Sequence, residues 1–164
     1  MSLKNLDDLF MDVLKDTLDA ERQIAKALPK MAKATESEEL RAAFEEHRSV
    51  TEGHIERLET IFQSMDKAAR GKHCPGMEGL LVEGSELIES EEPGPALDAA
   101  LIGAAQKVEH YEIAAYGTLV TYAKMLGMKK AVDLLSKTLA EEKETDEALT
   151  ALAENINLMA EQAG

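Results

Sequence analysis

Six residues of types that bind metals interrupt stretches that otherwise repeat as apolar helix faces: Glu21, His47, His54, Glu109, Glu112 and Glu142. Asp146 lies one turn beyond Glu142. A carboxylate on an inward face needs a partner, because burying it unpaired costs several kcal/mol or more, or forces it to take up a proton. Several converging carboxylates also repel one another. Bound cations remove both penalties, and oxygen ligands mixed with imidazole suit Fe, Mn or Zn better than Ca or Mg. Buried salt bridges to Lys or Arg, or one shared proton, are the alternative for Glu21, Glu112 and Glu142. For His47 and His54 it is an ordinary hydrogen bond inside the protein. Glu109 and Asp146 could instead be solvated or support the ligands from outside.

The elements that must carry these residues are helices. Apolar residues recur at spacings of three and four, without β alternation. A first segment, 3–34, carries Phe10, Leu14, Thr17, Glu21, Ile24, Leu28 and Met31, with a kink or break expected at Pro29. A second, 37–65, carries Leu40, Phe44, His47, Thr51, His54, Leu58 and Ile61. Thr35 with Glu38 reads there as a capping box. A third, 96–126, carries Leu101, Ala105, Val108, Glu112, Ala115 and Leu119, and Gly127 suits the residue just past its end. The fourth, 129–159, carries Leu135, Thr138, Glu142, Thr145, Leu149 and Ile156.

The connections set the topology. Segments one and two, and three and four, are joined by about three residues each, which makes two antiparallel hairpins. Between the hairpins some thirty residues run through Gly71, Pro75 and Gly76, a short helix over 77–89, and the Pro-Gly-Pro stop at 93–95. The expected fold is all-α: a single four-helix-bundle domain, residues 1–164, with a long crossover carrying an extra helix. An offset of 91 residues aligns the hairpins (21 with 112, 51 with 142). Within each hairpin the polar positions are 30 residues apart (21 to 51, 112 to 142), so they meet at one level of the bundle.

Composition narrows the function. The 164-residue chain has a formal net charge of −14, which repels phosphate backbones and argues against nucleic-acid binding. No apolar run reaches the roughly 18–20 residues of a membrane span, and the start of the chain has no signal-peptide core. Cys74 is the only cysteine and forms no internal disulfide. A cytoplasmic protein is expected. One His and one Cys, His73 and Cys74, do not make a zinc site, and His110 should face outward. Tyr116, one turn after Glu112, is expected to serve as core packing, with a hydrogen bond to a ligand carboxylate as the alternative.

Four segments carry a family resemblance: Leu18 to Gln23, Thr51 to Leu58, Ala104 to Leu119, and Leu139 to Asp146. On these the chain resembles the ferritin-like superfamily over nearly its whole length, and more closely the YciE/YciF-type bacterial stress proteins. The superfamily's pattern is a Glu on one helix followed by Glu-x-x-His on the next, repeated. The resemblance implies a ferritin-like bundle, a homodimer and a site for iron, as a di-iron centre, or for Mn or Zn. This chain departs from the pattern twice. Thr51 stands in place of the first Glu of a Glu-x-x-His, and Thr145 in place of the second His. His47 and Asp146 are the expected substitutes, and Glu109 with Glu112 is similar to the Glu-x-x-Glu of rubrerythrin-type sites. Two functions follow as expectations. One is a metalloprotein that oxidises Fe(II) with O2 or peroxide during stress. The other is a non-catalytic dimeric stress or structural protein with a weak or vacant site.

Overall fold

A computed structural model describes residues 3–163. Five helices follow in order: α1 (Leu6–Ala34), α2 (Glu38–Ser64), α3 (Pro75–Ser90), α4 (Pro95–Met125) and α5 (Lys129–Gln162). No strand occurs among the described residues. Helix α1 packs on α2 and α4, and α5 on α4 and α2, so the four long helices form a ring of neighbours. Residues 35–37 and 126–128 turn the two antiparallel hairpins, and the crossover helix α3 lies against α1 and α4. This is the ferritin-like bundle expected from the spacing.

Local chemistry explains the helix ends. Asn5 caps α1, its side chain accepting from the Asp8 amide at 2.9 Å, and Asp7 and Asp8 face the positive end of the helix dipole. The capping box expected at Thr35 does not form. Thr35 is instead the buried C-cap residue of α1, and the Ser37 hydroxyl caps α2 by accepting from the Leu40 amide at 3.2 Å. The chain runs two residues further before turning helical because a buried carboxylate holds it there. Asp98, in the first turn of α4, accepts from the Glu36 and Ser37 amides at 3.1 and 2.8 Å. Gly127 at φ 68° makes the tight turn into α5, a conformation costly to any residue with a Cβ.

Pro29 does not break α1, which runs unbroken from Leu6 to Ala34. Proline removes one intrahelical bond, to the Ala25 carbonyl, but packing of Ile24, Leu28 and Met31 into the core holds the helix on both sides. The crossover is anchored where α3 begins. The Cys74 amide donates to Asp19 at 2.9 Å, and its buried thiol lies 3.0 Å from the Tyr111 hydroxyl.

Two apolar layers fill the bundle. One gathers Ile24, Leu28, Phe44, Leu101 and Leu149 with the crossover residues Cys74 and Met77. The other gathers Phe10, Leu14, Leu18, Ile61, Phe62 and Leu135. At Leu, Ile and Phe positions burial is worth about 1.5–3 kcal/mol per side chain, so these layers supply the stability. Between them in each long helix comes the polar level: Glu21 in α1, His47 to His54 in α2, Glu109 and Glu112 in α4, and Glu142 in α5.

Candidate metal centre

All six stripe residues reach the interior. Glu21, His54, Glu109 and Glu142 are fully buried, Glu112 is 1 % exposed and His47 5 %. Helical spacing puts them there. Glu109 and Glu112 are three apart on α4, and His47, Thr51 and His54 follow at four and three on α2, so each set shares one face. Buried apolar anchors flank both sets: Val108 and Leu119 on α4, and Phe44 and Leu58 on α2, lock the same faces inward.

Their ligand atoms fall into two groups. His47, Glu109, Glu112 and Glu142 offer one atom each within 4.8 Å of one another, and so do Glu21, His54 and Glu142. Glu142 belongs to both. His47 Nε2 lies 3.2 Å from Glu109 Oε1, while His54 Nδ1 lies 2.9 Å from Glu142 Oε1 and 3.2 Å from Glu21 Oε1.

These atoms are close without being hydrogen-bonded. Both oxygens of Glu109, Glu112 and Glu142, with Glu21 Oε2, His47 Nε2 and His54 Nδ1, are buried and have no hydrogen-bond partner. Buried polar atoms left this way are rare, since each costs about 1–3 kcal/mol. The chemistry of the donor set fits two divalent cations. Four carboxylates would offset the charge of two such ions, two imidazoles would complete the donor set, and Glu142 could serve both groups.

The charge states of the side chains follow from the same geometry. Burial raises the Glu112 carboxyl well above its ordinary range, and the charges of Glu142, Glu21 and Glu109 add to this. Burial and the Glu142 charge push Glu109 to about 11. Glu21 is also raised, by burial first, against the pull of the nearby His54 ring. Burial lowers His47. Burial works against a charged His54 too, but Glu142 and Glu21 outweigh it and raise the ring to about 10. Burial would raise Glu142, but His54 holds it below its usual value.

Three supporting residues surround the Glu21–His54 group. Glu141 accepts from His54 Nε2 at 3.0 Å, which leaves Nδ1 as the ring's inward-facing atom. Arg57 grips Glu141 through two bonds, 2.6 and 2.9 Å, and also donates to the Thr138 hydroxyl. Such an outer carboxylate on a ligating histidine fixes ring orientation and tautomer. The Tyr116 hydroxyl donates to Glu21 Oε1 at 2.5 Å, and its ring meets His54 edge-on. Tyr116 is therefore more than packing. Reading the sequence missed Glu141 and Arg57. The available signal was Arg57 one turn after His54, with Glu141 adjoining Glu142.

Asp146 is not brought into either group. It is half-buried at the edge of α5, where it lies 3.2 Å from His110 Nε2 and accepts from Gln106 at 3.3 Å. One turn past Glu142, the helix has carried it toward α4's outer side, where it meets solvent and the His110 ring. His110 is exposed, as its position beside Glu109 implied. Thr51 is fully buried with an unpartnered hydroxyl, and Thr145 bonds back to the Glu141 carbonyl.

Comparison with known proteins places the chain and its fold in a family. The profile of a domain of unknown function, DUF892, matches residues 5–162. The chain belongs to the DUF892 family. Within it, the chain is 51 % identical to protein YciF of Escherichia coli (strain K12) over 164 residues, covering 98 % of each. The crystal structure of the E. coli stress protein YciF superposes with a TM-score of 0.91 at 50 % identity, covering 94 % of this chain and 98 % of that one. YcfI of Rhodopseudomonas palustris, provisionally named a structural protein, matches at a TM-score of 0.88 and 38 % identity over 91 % of this chain and 95 % of its own. A protein of Xanthomonas campestris pv. campestris, 20 % identical, shares the fold at a TM-score of 0.79, covering 97 % of this chain and 99 % of that one. The YciE/YciF-type resemblance thus holds for the whole DUF892 domain. None of the described helices is long and apolar enough to cross a membrane.

Proposed function

We propose that this DUF892 protein binds a pair of divalent metal ions, iron in the first place and manganese or zinc as alternatives, and acts in the cytoplasm as a stress-response metalloprotein. One observation carries the reading: buried, unpartnered ligand atoms converge from four helices into two groups that share Glu142. The YciF relative, described as a stress protein, supports the setting. With iron as substrate, two Fe(II) ions give up one electron each, and the pair reduces one hydrogen peroxide, with two protons, to two water molecules. The chain's own part is to bind, orient and exclude water. Glu109, Glu112 and Glu21 release protons as the cations enter, while Glu141 keeps His54 Nδ1 inward.

A second reading is a non-catalytic structural protein. It is supported by the His54 ring, whose contacts with Glu21, Glu142 and Glu141 compensate part of the cluster without any metal. The provisional naming of YcfI points the same way. Elemental analysis of protein as isolated, followed by Fe(II) addition and peroxide under near-ultraviolet absorbance, separates the two. About two ions per chain and oxidation faster than in a Glu142→Ala variant support the metalloprotein. Neither metal nor acceleration leaves the structural role. The proposal includes a homodimer, which would cover exposed apolar side chains such as Met125 and Leu158. Light scattering checks that mass.

A further inference from the structure

Thr145, where the superfamily pattern has a histidine, borders an open pocket. The residue is half-buried, its hydroxyl is turned back on the Glu141 carbonyl, and it lines a pocket of about 320 Å3 between α2 and α5. Carboxylates enter this pocket's lining from both helices, Glu46 on α2 and Glu141 and Glu144 on α5, and no Lys or Arg lines it. Its inner wall includes His47, which is 5 % exposed, has an unpartnered Nε2 and belongs to the four-residue ligand group. Glu46 and Glu144 are exposed, so the pocket runs from solvent to the flank of the His47 ring, whose Nε2 lies just behind it in the buried group.

The other approach to His47 is unsuited to an ion. A pocket between α1, α3 and α4 is lined mostly by apolar side chains, with one charge of each sign, Lys30 and Glu78. The inward cavity beside it, which reaches His47 and Glu109, has only about 10 Å3. That is at or below the roughly 10–15 Å3 needed for one water, so a hydrated cation cannot pass. Crossing an apolar wall would also strip the ion of its water with nothing in return.

We propose that the α2–α5 pocket is the entry route for divalent cations, with Glu46 and Glu144 concentrating the ion at the mouth and His47 the first buried ligand it meets. This rests on the metal-binding reading above and adds the path to it. A cleft lined by one sign of charge within low-dielectric walls focuses its field and raises the on-rate of the opposite charge. The Thr145 departure from the superfamily pattern then has a role: it exchanges a ligand for an opening.

The test is stopped-flow uptake of Co(II) by the metal-free full-length chain, followed by visible absorption. The pocket variant is Glu46→Gln with Glu144→Gln. Its control is Glu147→Gln with Glu154→Gln, two exposed acidic residues of α5 outside the pocket with the same change in net charge. The pocket variant should bind the same final amount of Co(II) but roughly threefold or more slowly at low salt, converging with wild type at high salt, while the control keeps the wild-type rate. Thr145→Met, which plugs the opening, should be slower at every salt concentration. If it fails to fold, the surface pair carries the test alone. Equal slowing by pocket and control variants, or no slowing by either, overturns the entry route while metal binding stands. A wild-type chain that takes up no Co(II) refutes the metal reading and the route with it.

Discussion

The two ligand groups solve the same problem in different ways. Around Glu21 and His54 the protein supplies most of the answer itself. Tyr116 donates to Glu21, Glu141 holds the outer nitrogen of His54, and Arg57 holds Glu141. Around His47, Glu109 and Glu112 the carboxylate oxygens have no hydrogen-bond partner, and the wall opens on the α2–α5 pocket. Under the proposed reading, the first group would hold its ion in a braced position and the second in an unbraced one next to the pocket. A purely structural polar cluster would brace both sides, since half-satisfied buried networks are worse than none.

The largest test of that contrast removes what the groups share. Glu142→Ala should abolish binding of both ions, read as metal content after dialysis against excess Co(II) or Fe(II). Retention of a full pair would show that Glu142 links nothing. Next come the histidines taken singly. His54→Ala and His47→Ala should each leave one ion per chain, but their metal-free forms should differ. His54 is held by three carboxylates, so its loss should cost about 3 kcal/mol in urea unfolding, at the low end for a broken buried ion pair. Neutral His47, with no hydrogen bond from Nε2, should cost about 1 kcal/mol. Equal losses would erase the difference between the groups. A smaller effect is expected outside the ligands. Glu141→Gln should weaken only the Glu21–His54 position, by about 10–100-fold in chelator competition, with the stoichiometry unchanged. Arg57 is partly exposed and can turn to water when its partner loses its charge.

How far these positions were legible in the sequence depends on how local their causes are. Glu21, Glu112 and Glu142 could be read because each breaks a three-four apolar spacing that neighbours such as Ile24, Val108 and Leu149 enforce. The hairpins could be read because three-residue turns leave an antiparallel return as the only course. Glu141 and Arg57 could not, because their pairing is made across α2 and α5, 84 residues apart, and neither breaks a stripe. Asp146 looked equivalent to a lost histidine, yet one more turn of α5 takes it to the surface beside His110. Thr35 had the right spacing for a cap, but Asp98, from a helix sixty residues later in the chain, holds the amides of Glu36 and Ser37 and moves the start of α2. Spacing places faces, whereas contacts between distant segments decide which residue on a face is used.

The smallest and most diagnostic effect is on pH dependence without metal. In one group the empty site is held by a charged imidazole, since His54 is raised from 6.5 to about 10. In the other it is held by protonated carboxyls, Glu109 raised from 4.5 to about 11 and Glu112 raised as well. Both shifts have the same sign. Between pH 7 and 9 the folded chain keeps protons on these groups that the unfolded chain has released, so stability falls as pH rises. The lowered groups oppose this little. Glu142 has completed its change below that window in both states, and unfolded His47, at its ordinary 6.5, holds only a minor proton fraction at pH 7 that is gone by pH 8, so it opposes the fall only weakly at the lower edge. The melting temperature of chelator-treated protein should therefore drop from pH 7 to 9, by about 2–4 °C for each kcal/mol lost in a chain of this size. Glu109→Gln, which fixes the neutral form, should flatten the part of the slope that belongs to the unbraced group and leave the His54 part. Saturating metal should reverse the trend, because cations replace the protons and bind more tightly as pH rises. A metal-free melting temperature that holds or climbs over this range would mean that the carboxylates are compensated by groups other than protons, and the contrast between the two halves of the centre would fall.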